Sequence, residues 1–375
     1  MQVTTKQKSY NVDILNCNSA EIVANITTKF DANNYIILTE NGVLRKAGEE
    51  ISSKIIAMGL NCHVIYLESI GEGNKSFENA GKILENILKN VKVTRNSVLI
   101  GLGGGTIGDL SGFIASIMMR GIKLVHIPTT FLAMVDSGIG GKTGINFAGY
   151  KNIVGTFYQP DLVICNVKFL ETLPYNEYIS GYVELAKHAI ISEKYPNLLA
   201  ELLENEVNIF NRNLDFLSQI IKISCAIKAD IVMQDELEIL GIRSFLNLGH
   251  TIAHAIEKIP PLDGKILHGF AVAMGIIAEM KLAKELGVTQ DTSILQAITQ
   301  HFANLKIPVK ISEILPNYTE YLNVIAQKVT LDKKNSNTKH EDLKISFALT
   351  SERGKIQNIQ VAQGKLQDLL PKILI

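Results

Sequence analysis

Hydrophobic residues in the first half of the chain form short runs separated by stretches with helical periodicity. Five runs have the length and β-branched content of buried strands: Tyr35–Thr39, Val64–Leu67, Val98–Gly101, Leu124–Pro128 and Leu162–Cys165. Two of the intervening segments, Phe77–Lys89 and Ile107–Met119, repeat apolar residues every 3.6 positions. This alternation of strands and helices predicts a mostly parallel sheet with helices on both faces.

The pattern changes after about Pro174. Helical periodicity dominates from Glu177 to Leu305, and Leu343–Leu349 is the one convincing strand beyond that point. We therefore predict two domains. Residues 1–175 are expected to form an α/β, Rossmann-like domain, and residues 176–375 a mainly α-helical domain.

The composition is that of a globular protein, because 46% of the 375 residues are hydrophobic and 20% are charged. The formal net charge is zero, which gives no electrostatic reason to expect a nucleic acid or an anionic membrane as partner. Uncharged stretches such as Leu124–Val135 and Ile266–Ala278 are shorter than the roughly 18–20 residues that span a bilayer.

The N-terminal segment Met1–Asp13 is polar and lacks the apolar region of a secretory signal. The four cysteines lie far apart and form no CxxC pair: Cys17, Cys62, Cys165 and Cys225. We therefore expect reduced thiols and a cytoplasmic location.

A glycine-rich turn follows the predicted strand that begins at Val98. Gly103, Gly105 and Gly108 have the GxGxxG spacing of a dinucleotide-binding turn. Such glycines let the backbone approach a pyrophosphate, and the helix that follows supplies free N–H groups and the positive end of its dipole. The alternative is a tight strand–helix turn without a ligand.

The acid of a standard Rossmann fingerprint is not where it is expected. That acid stands about 20 residues after the glycines and binds the ribose, whereas here the next strand ends in His126–Thr130, which contains no acid. Glu40, Glu68 and Glu72 follow earlier strands and are the candidates. A dinucleotide is therefore expected to bind in a variant geometry.

Three separate segments carry possible metal ligands. Glu184 and His188 are four residues apart on one predicted helix, His250 and His254 share a face of another, and His268 precedes a third. A catalytic zinc site needs about three protein ligands and an open position, which one glutamate and two histidines provide. The spacing does not decide which histidines coordinate, and buried structural histidines are the alternative.

Positively charged residues recur inside apolar or glycine-rich segments: Arg120, Lys142, Lys151, Lys187, Lys228 and Arg243. Several cations in one cleft are costly unless anions compensate them. In a chain of zero net charge, such a cluster favours a small substrate with several phosphate or carboxylate groups. For any one of these residues alone, the alternative is a solvated side chain.

In their order along the chain, these motifs resemble those of the 3-dehydroquinate synthases, which are sugar phosphate cyclases. The matching runs are Gly103–Phe113, Met119–Gly121, Ile127–Thr130, Val135–Asn146, Gly149–Pro160, Gly181–Glu184, Asn247–Ala255, His268–Gly269 and Leu331–Lys334. The resemblance extends from Tyr35 to about Lys334. It implies NAD and one divalent metal, zinc or cobalt, at an active site in the cleft between the domains, and a homodimer.

The resemblance also implies a role for individual residues. The metal ligands would be Glu184, His250 and His268, which leaves His254 for the substrate. The NAD contacts would be Glu72, Lys75, Gly105, Thr106, Ile107, Gly108, Asp109, Thr129, Thr130, Lys142, Lys151, Phe169, Leu170, Glu171 and Thr172. The substrate-handling residues would be Arg120, Asp136, Lys142, Asn152, Lys187, Lys228, Arg243, Asn247, His254 and one of Lys333 and Lys334.

Two departures from the family pattern bear on details of the site. The family usually has His-Gly-Glu where this chain has His268, Gly269 and Phe270, so a carboxylate near the metal ligands is expected to be missing. The segment from Asp235 to Arg243 is one residue longer than usual, which leaves the role of Glu238 open.

The reaction implied by the resemblance converts 3-deoxy-D-arabino-heptulosonate 7-phosphate to 3-dehydroquinate and phosphate, within the shikimate pathway of aromatic amino-acid synthesis. It combines transient oxidation by NAD, β-elimination of phosphate, re-reduction, ring opening and aldol closure. The alternatives are another cyclase such as a 2-deoxy-scyllo-inosose synthase, a metal-dependent polyol dehydrogenase, and a non-enzymatic NAD-binding protein.

Overall fold

The computed structural model describes residues 1–68, 71–331 and 344–374. The strands are β1 Gln2–Thr4, β2 Ser9–Leu15, β3 Asn34–Glu40, β4 Asn61–Leu67, β5 Val98–Gly103, β6 Lys123–Pro128, β7 Lys142–Phe147, β8 Tyr150–Phe157, β9 Leu162–Asn166, β10 Lys344–Glu352 and β11 Lys355–Ala362. The helices are α1 Ser19–Lys29, α2 Val43–Ala57, α3 Phe77–Asn90, α4 Gly105–Ile117, α5 Phe169–Thr172, α6 Tyr175–Ile191, α7 Leu198–Glu204, α8 Glu206–Phe210, α9 Leu214–Gln234, α10 His250–Glu257, α11 His268–Glu285, α12 Ser293–Asn304, α13 Leu322–Leu331 and α14 Gln363–Ile373.

The five strands predicted in the first half of the chain are confirmed. They are the five neighbouring strands from β9 to β4 in a sheet with the order β1-β2-β9-β6-β5-β3-β4. All neighbours from β2 to β4 are parallel, and β1 pairs antiparallel with β2. The strands β1 and β2 were not predicted. Their segment alternates polar and apolar residues over a short length, which is typical of strands near a sheet edge and gives a weaker signal.

Successive residues of β3 are buried in hydrophobic cores on opposite faces of the sheet. Ile36 and Leu38 pack into a core that includes residues of α3 and α4. Tyr35 and Ile37 pack into a second core with residues of α1 and α2. Because side chains alternate across a strand, a strand that is apolar at every position can bury both faces. The prediction of helices on both faces of a parallel sheet is confirmed.

The chain divides into two compact units. The first comprises Met1–Leu173 and Leu214–Leu237, and the second comprises Pro174–Asn213 and Glu238–Ile375. Helix α9 therefore belongs to the first unit, although its sequence position placed it in the predicted helical domain. It packs against β1, β2 and a π-helical turn over Ala133–Ser137. Periodicity shows that a helix has an apolar face, but it does not show which element covers that face.

The second unit contains helices α6–α8 and α10–α14 and the antiparallel hairpin β10–β11. Strand β10 confirms the predicted strand from Lys344 onward, whereas Leu343 lies outside the described residues. Strand β11 was not predicted, because half of its residues are polar and exposed. Helix α11 is buried along nearly its whole length and contacts α6, α10, α12, α14 and β10. Among the described helices, none has the length and hydropathy to cross a membrane.

Candidate cofactor and metal sites

The glycine-rich turn joins the carboxyl end of β5 to the first turn of α4. Strands β3 and β5 are neighbours in the sheet. The chain continues from β3 to β4 on one side of this pair, and from β5 to β6 on the opposite side. The turn therefore lies at the point where the strand order reverses. Open α/β sheets bind ligands at this point, outside the carboxyl ends of the strands.

Part of the glycine pattern is explained by packing alone. A Cβ at Gly103 would lie 2.6 Å from Cγ1 of Ile107, and a Cβ at Gly101 would lie 2.3 Å from Oγ of Ser111, so both glycines let α4 pack closely on β5. A Cβ at Gly108 would meet no described atom within 4 Å. Gly108 donates the first intrahelical bond, to Gly104, and the amides before it have no partner within the helix.

Other predicted cofactor residues lie at the same edge of the sheet. The Thr129 amide donates to the carbonyl of Gly103 at 3.0 Å, so the segment after β6 adjoins the glycine turn. The short helix α5, which contains Phe169, Leu170, Glu171 and Thr172, follows β9. Glu40 ends β3 next to β5, and burial raises the pKa of its carboxyl.

Lys75 forms the centre of a second cluster in the first unit. This lysine is 3% exposed, and its Nζ lies 2.7 Å from Oδ2 of Asp109 and 3.3 Å from Oε1 of Glu72. The same Nζ donates to Oδ1 of Asn152. Burial raises the pKa of Asp109, although Lys75 opposes this shift. The structure thus brings together three predicted NAD contacts and one predicted substrate contact.

Asp136 and Lys228, both predicted to handle the substrate, form an ion pair. Nζ of Lys228 lies 2.5 Å from Oδ1 of Asp136 and also donates to its carbonyl oxygen. Lys228 is on α9 and Asp136 is on the π-helical turn, so the pair exists because α9 packs in the first unit.

The glycine-flanked lysines lie on a two-stranded hairpin formed by β7 and β8. Lys142 begins β7 and Lys151 is on β8, and both are exposed. A Cβ at Gly155 would lie 2.0 Å from the carbonyl oxygen of Thr143, so that glycine permits close pairing of the strands. The hairpin was not predicted from the sequence.

The predicted metal ligands meet in the second unit. Glu184 is in the middle of α6, His250 begins α10 and His268 begins α11. Oε1 of Glu184 lies 3.4 Å from Nε2 of His250 and 3.5 Å from Nε2 of His268, and the three donor atoms lie within 4.8 Å of one another. Two ligands about 2.0–2.1 Å from a tetrahedral zinc ion lie about 3.3 Å apart, so this spacing fits a divalent ion.

The chemistry of Glu184 also fits a bound cation. The carboxylate is fully buried, and neither oxygen accepts a hydrogen bond of acceptable geometry from a described residue. Lys187, which is 1% exposed, forms an ion pair with it from one turn further along α6. A buried carboxylate beside two imidazole nitrogens is a donor set suited to zinc or cobalt.

The protonation of these groups depends on how burial competes with charge. Burial would raise the pKa of Glu184, but Lys187 and the two histidines outweigh it and hold that pKa well below its usual range. Burial and Lys187 lower the pKa of His250 to about 3, so its ring is neutral, as a metal ligand must be. Burial would lower the pKa of His268, but the adjacent carboxylates of Glu184 and Glu257 raise it to about 10.

Neighbouring groups orient both imidazole rings. Nδ1 of His250 lies 3.2 Å from the carbonyl oxygen of Leu248, and Nδ1 of His268 lies 2.9 Å from Oε1 of Glu257. Donation from Nδ1 to these oxygens leaves Nε2 of each ring directed toward Glu184. A carboxylate behind a ligand histidine fixes its tautomer and increases its basicity. Glu257 was not identified from the sequence, although it lies one turn beyond His254.

The remaining predicted residues of the second unit lie at different distances from this cluster. The ring of His254 is 5.6 Å from that of His250, but His254 is not among the three mutually close donors. Arg243 is 3% exposed and lies 3.5 Å from Oε1 of Glu238, which gives Glu238 a partner. Asn247 is exposed at the end of a 3₁₀ turn.

Two predictions are not placed beside these clusters. Arg120 is exposed in a 3₁₀ turn that precedes the amino end of β6, so it lies at the opposite edge of the sheet from the glycine turn. Lys333 and Lys334 lie outside the described residues.

The two halves of the chain match family models described as "3-dehydroquinate synthase N-terminal" over residues 65–180 and "3-dehydroquinate synthase C-terminal" over residues 181–335. A 3-dehydroquinate synthase of Alkaliphilus metalliredigens is 38% identical over 90% of this chain and 90% of its own. The chain belongs to the 3-dehydroquinate synthase family. Its motifs had indicated this membership, and the prediction is confirmed.

Two solved structures share the fold of this member of the 3-dehydroquinate synthase family. A 2-deoxy-scyllo-inosose synthase complexed with carbaglucose-6-phosphate, NAD⁺ and Co²⁺ matches with a TM-score of 0.81 and 22% identity over 99% of both chains. A 2-epi-5-epi-valiolone synthase from Streptomyces hygroscopicus, with NAD⁺ and Zn²⁺ bound, matches with a TM-score of 0.79 and 21% identity over 99% of this chain and 98% of its own. The predicted fold class is confirmed.

Proposed function

We propose that the chain catalyses the conversion of 3-deoxy-D-arabino-heptulosonate 7-phosphate to 3-dehydroquinate and phosphate. The observation that carries this proposal is the match to a 3-dehydroquinate synthase over nine-tenths of both chains, at 38% identity. The cluster of Glu184, His250 and His268 supports it, because its donor atoms and spacing suit one divalent metal.

We further propose NAD and a zinc or cobalt ion as cofactors, by analogy with the cyclases whose structures contain them. NAD, when bound, supplies a reversible hydride acceptor. A divalent metal, when bound, lowers the pKa of a hydroxyl and polarises a carbonyl. In this chain, Glu184, His250 and His268 would hold the metal, and the amides of Gly105, Thr106 and Ile107 would bind the pyrophosphate.

The chain's own side chains must bind a substrate that carries a carboxylate and a phosphate. We propose that Lys142, Lys187, Lys228, Arg243 and His254 hold these anions and stabilise negative charge as phosphate departs. Lys228 is kept in place by Asp136, and Arg243 by Glu238, so neither cation needs to reorganise when the substrate binds.

The proton that the elimination removes needs an acceptor. We propose that the leaving phosphate takes this proton itself, because the chain's contribution is a set of cations rather than a dedicated base. His254 would orient that phosphate. Its ring stacks edge-on against that of His250 at 5.6 Å, and this contact limits its rotation.

We also propose a homodimer in the cytoplasm, with Arg120 reaching the site of the partner subunit. The exposure of Arg120, and its position away from the glycine turn of its own chain, favour this role over one within the same subunit. Sedimentation of the purified chain, with and without NAD, measures the assembly directly.

The test is release of phosphate from the heptulosonate by the purified chain with NAD and Co²⁺ or Zn²⁺, with absorbance at 340 nm recorded in parallel. Phosphate without accumulated NADH, abolished by a chelator, is the expected result. Absence of phosphate release from the metal-loaded chain would refute the proposal. Turnover of glucose 6-phosphate or a sedoheptulose phosphate instead would indicate another cyclase, and steady NADH formation from glycerol would indicate a polyol dehydrogenase.

A further inference from the structure

Glu279, on α11, is a fully buried carboxylate to which the proposed reaction gives no role. Its two oxygens accept hydrogen bonds from backbone amides of another element. The amide of Gly249 donates to Oε2 at 2.7 Å, and the amide of Ile252 donates to Oε1 at 3.2 Å. Both amides belong to the N-terminal end of α10, the helix that begins with His250.

These two bonds replace a cap that the sequence of α10 lacks. The first amides of a helix have no partner within it, and a Ser, Thr, Asp or Asn side chain at the N-cap usually supplies one. Here the N-cap is Gly249, which has no side chain and a φ of +84°. Glu279 therefore caps α10 from a different helix, and its negative charge lies at the positive end of the helix dipole.

The two helices approach closely enough for this contact because both carry a glycine where they cross. A Cβ at Gly275 would lie 2.0 Å from the carbonyl oxygen of Gly249, and a Cβ at Gly249 would lie 2.6 Å from Cγ1 of Ile276. Glu279 is one turn beyond Gly275 and on the same face of α11. This crossing places the carboxylate of Glu279 within hydrogen-bonding distance of the amides at the start of α10.

The capped segment also fixes a predicted metal ligand. His250 follows Gly249 directly, and its Nδ1 is bonded to the carbonyl oxygen of Leu248 in the same turn. The position of this short stretch of backbone therefore sets where Nε2 of His250 lies relative to Glu184. Helix α10 has only eight residues, so loss of its first turn would remove a large part of it.

We propose that Glu279 is a positioning residue for the metal site, which holds the first turn of α10 so that His250 presents Nε2 toward Glu184. This inference rests on the proposed metal site formed by Glu184, His250 and His268. Glu279 would act through the backbone amides of Gly249 and Ile252 and not as a metal ligand.

The experiment titrates the metal-free full chain with Co²⁺, follows the visible absorption of the bound ion, and measures zinc affinity by competition with a chelator. The variants are Glu279→Gln, which keeps the shape of the side chain, and Glu279→Ala, which removes both acceptors. The control is Leu282→Ala, another fully buried position on α11. Urea unfolding of each metal-free variant reports its stability.

We expect Glu279→Ala to weaken Co²⁺ and Zn²⁺ binding about 10- to 100-fold, as is typical when a group that orients a ligand is removed. Glu279→Gln should give a smaller loss, because its amide retains one acceptor, and both variants should alter the Co²⁺ spectrum. Leu282→Ala should be destabilised and yet bind both metals as the wild type does. If Glu279→Ala does not fold, the Glu279→Gln result decides.

Wild-type metal affinity and an unchanged Co²⁺ spectrum in folded Glu279→Gln, together with a lowered unfolding midpoint, would overturn the inference and leave Glu279 a purely structural cap. An equal loss of affinity in Leu282→Ala would also overturn it. Failure of the wild type to bind Co²⁺ or Zn²⁺ is a separate outcome, because it would refute the proposed metal site and this inference with it.

Discussion

Substitution of Gly275 by alanine tests whether α10 and α11 cross as closely as the structure shows. The added Cβ would lie 2.0 Å from the carbonyl oxygen of Gly249 and 3.1 Å from the amide nitrogen of Ala253. An unstrained contact is about 3.5 Å. Because the obstructing atoms belong to the backbone, a side-chain rotation cannot relieve the overlap, and one helix must move by about 1.5 Å.

The expected cost follows from two opposing effects. Replacing a glycine by alanine inside a helix normally stabilises it by about 0.5–1 kcal/mol. Overpacking a tight core costs about 1–3 kcal/mol and occasionally more. We therefore expect Gly275→Ala to lower the free energy of unfolding by about 1–2 kcal/mol. The displacement also moves Gly249 and thus His250, so metal affinity should fall as well.

Urea unfolding followed by circular dichroism measures this change, since the chain has no tryptophan. The matched control is Gly364→Ala in α14, a helix of the same unit, where the added Cβ meets no described atom within 4 Å. The control should be neutral or stabilised by up to about 1 kcal/mol. If Gly275→Ala unfolds at the same or a higher urea concentration than Gly364→Ala, the close helix crossing is refuted.

Three further predictions concern buried charge and histidine. Glu184→Gln should lower the free energy of unfolding of the metal-free chain by about 3–5 kcal/mol, because it leaves Lys187 buried without its partner. Urea unfolding measures this loss, and adding the substitution Lys187→Met should recover most of it. Burial lowers the pKa of His126 to about 4, so the folded state keeps this ring neutral while the unfolded state takes up a proton below about pH 6.5. Stability should therefore fall as the pH drops from 6.5 to 4, by up to about 1.4 kcal/mol per pH unit, and a His126→Leu variant with the same slope would contradict this. Glu257→Gln should weaken zinc binding about 10- to 100-fold in a chelator competition, because it changes the acceptor behind His268; unchanged affinity would exclude that role.

The sequence predicted the central part of the fold well because the strongest signals there are local. The strands β3, β5 and β6 contain short, mostly apolar runs and are buried at nearly every position, and the helices between them have clear periodicity. Strands β1, β2 and β11 are short or polar, and their segments pair only because another strand presents a free edge. The position of α9 in the first unit depends likewise on distant residues.

In the candidate site too, features formed by residues close in sequence were predicted, whereas contacts between residues distant in sequence were not. Glu184 with His188, and His250 with His254, stand out in the sequence because their carboxylate and imidazole groups are at helical spacing. The choice of Glu184, His250 and His268 as ligands came from the resemblance to the family. The structure brings them together, and their role as ligands stays a prediction. The groups that hold them were not foreseen, since Glu257 and Glu279 are ordinary helical glutamates in the sequence and acquire partners only through the packing of helices.

Because Phe270 stands where the family usually has glutamate, the sequence suggested that a carboxylate near the metal ligands is missing. In the structure, other carboxylates lie near the predicted ligands. Phe270 is half-buried in the first turn of α11 and offers no acceptor. The carboxylate of Glu257 nevertheless lies 2.9 Å from Nδ1 of His268, and the carboxylate of Glu279 accepts a hydrogen bond from the amide of Gly249, the residue before His250. Helix α10 is short, and its N-cap residue Gly249 has no side chain that could cap it. We therefore expect the proposed metal site to depend on the contact between α10 and α11 as well as on its ligands.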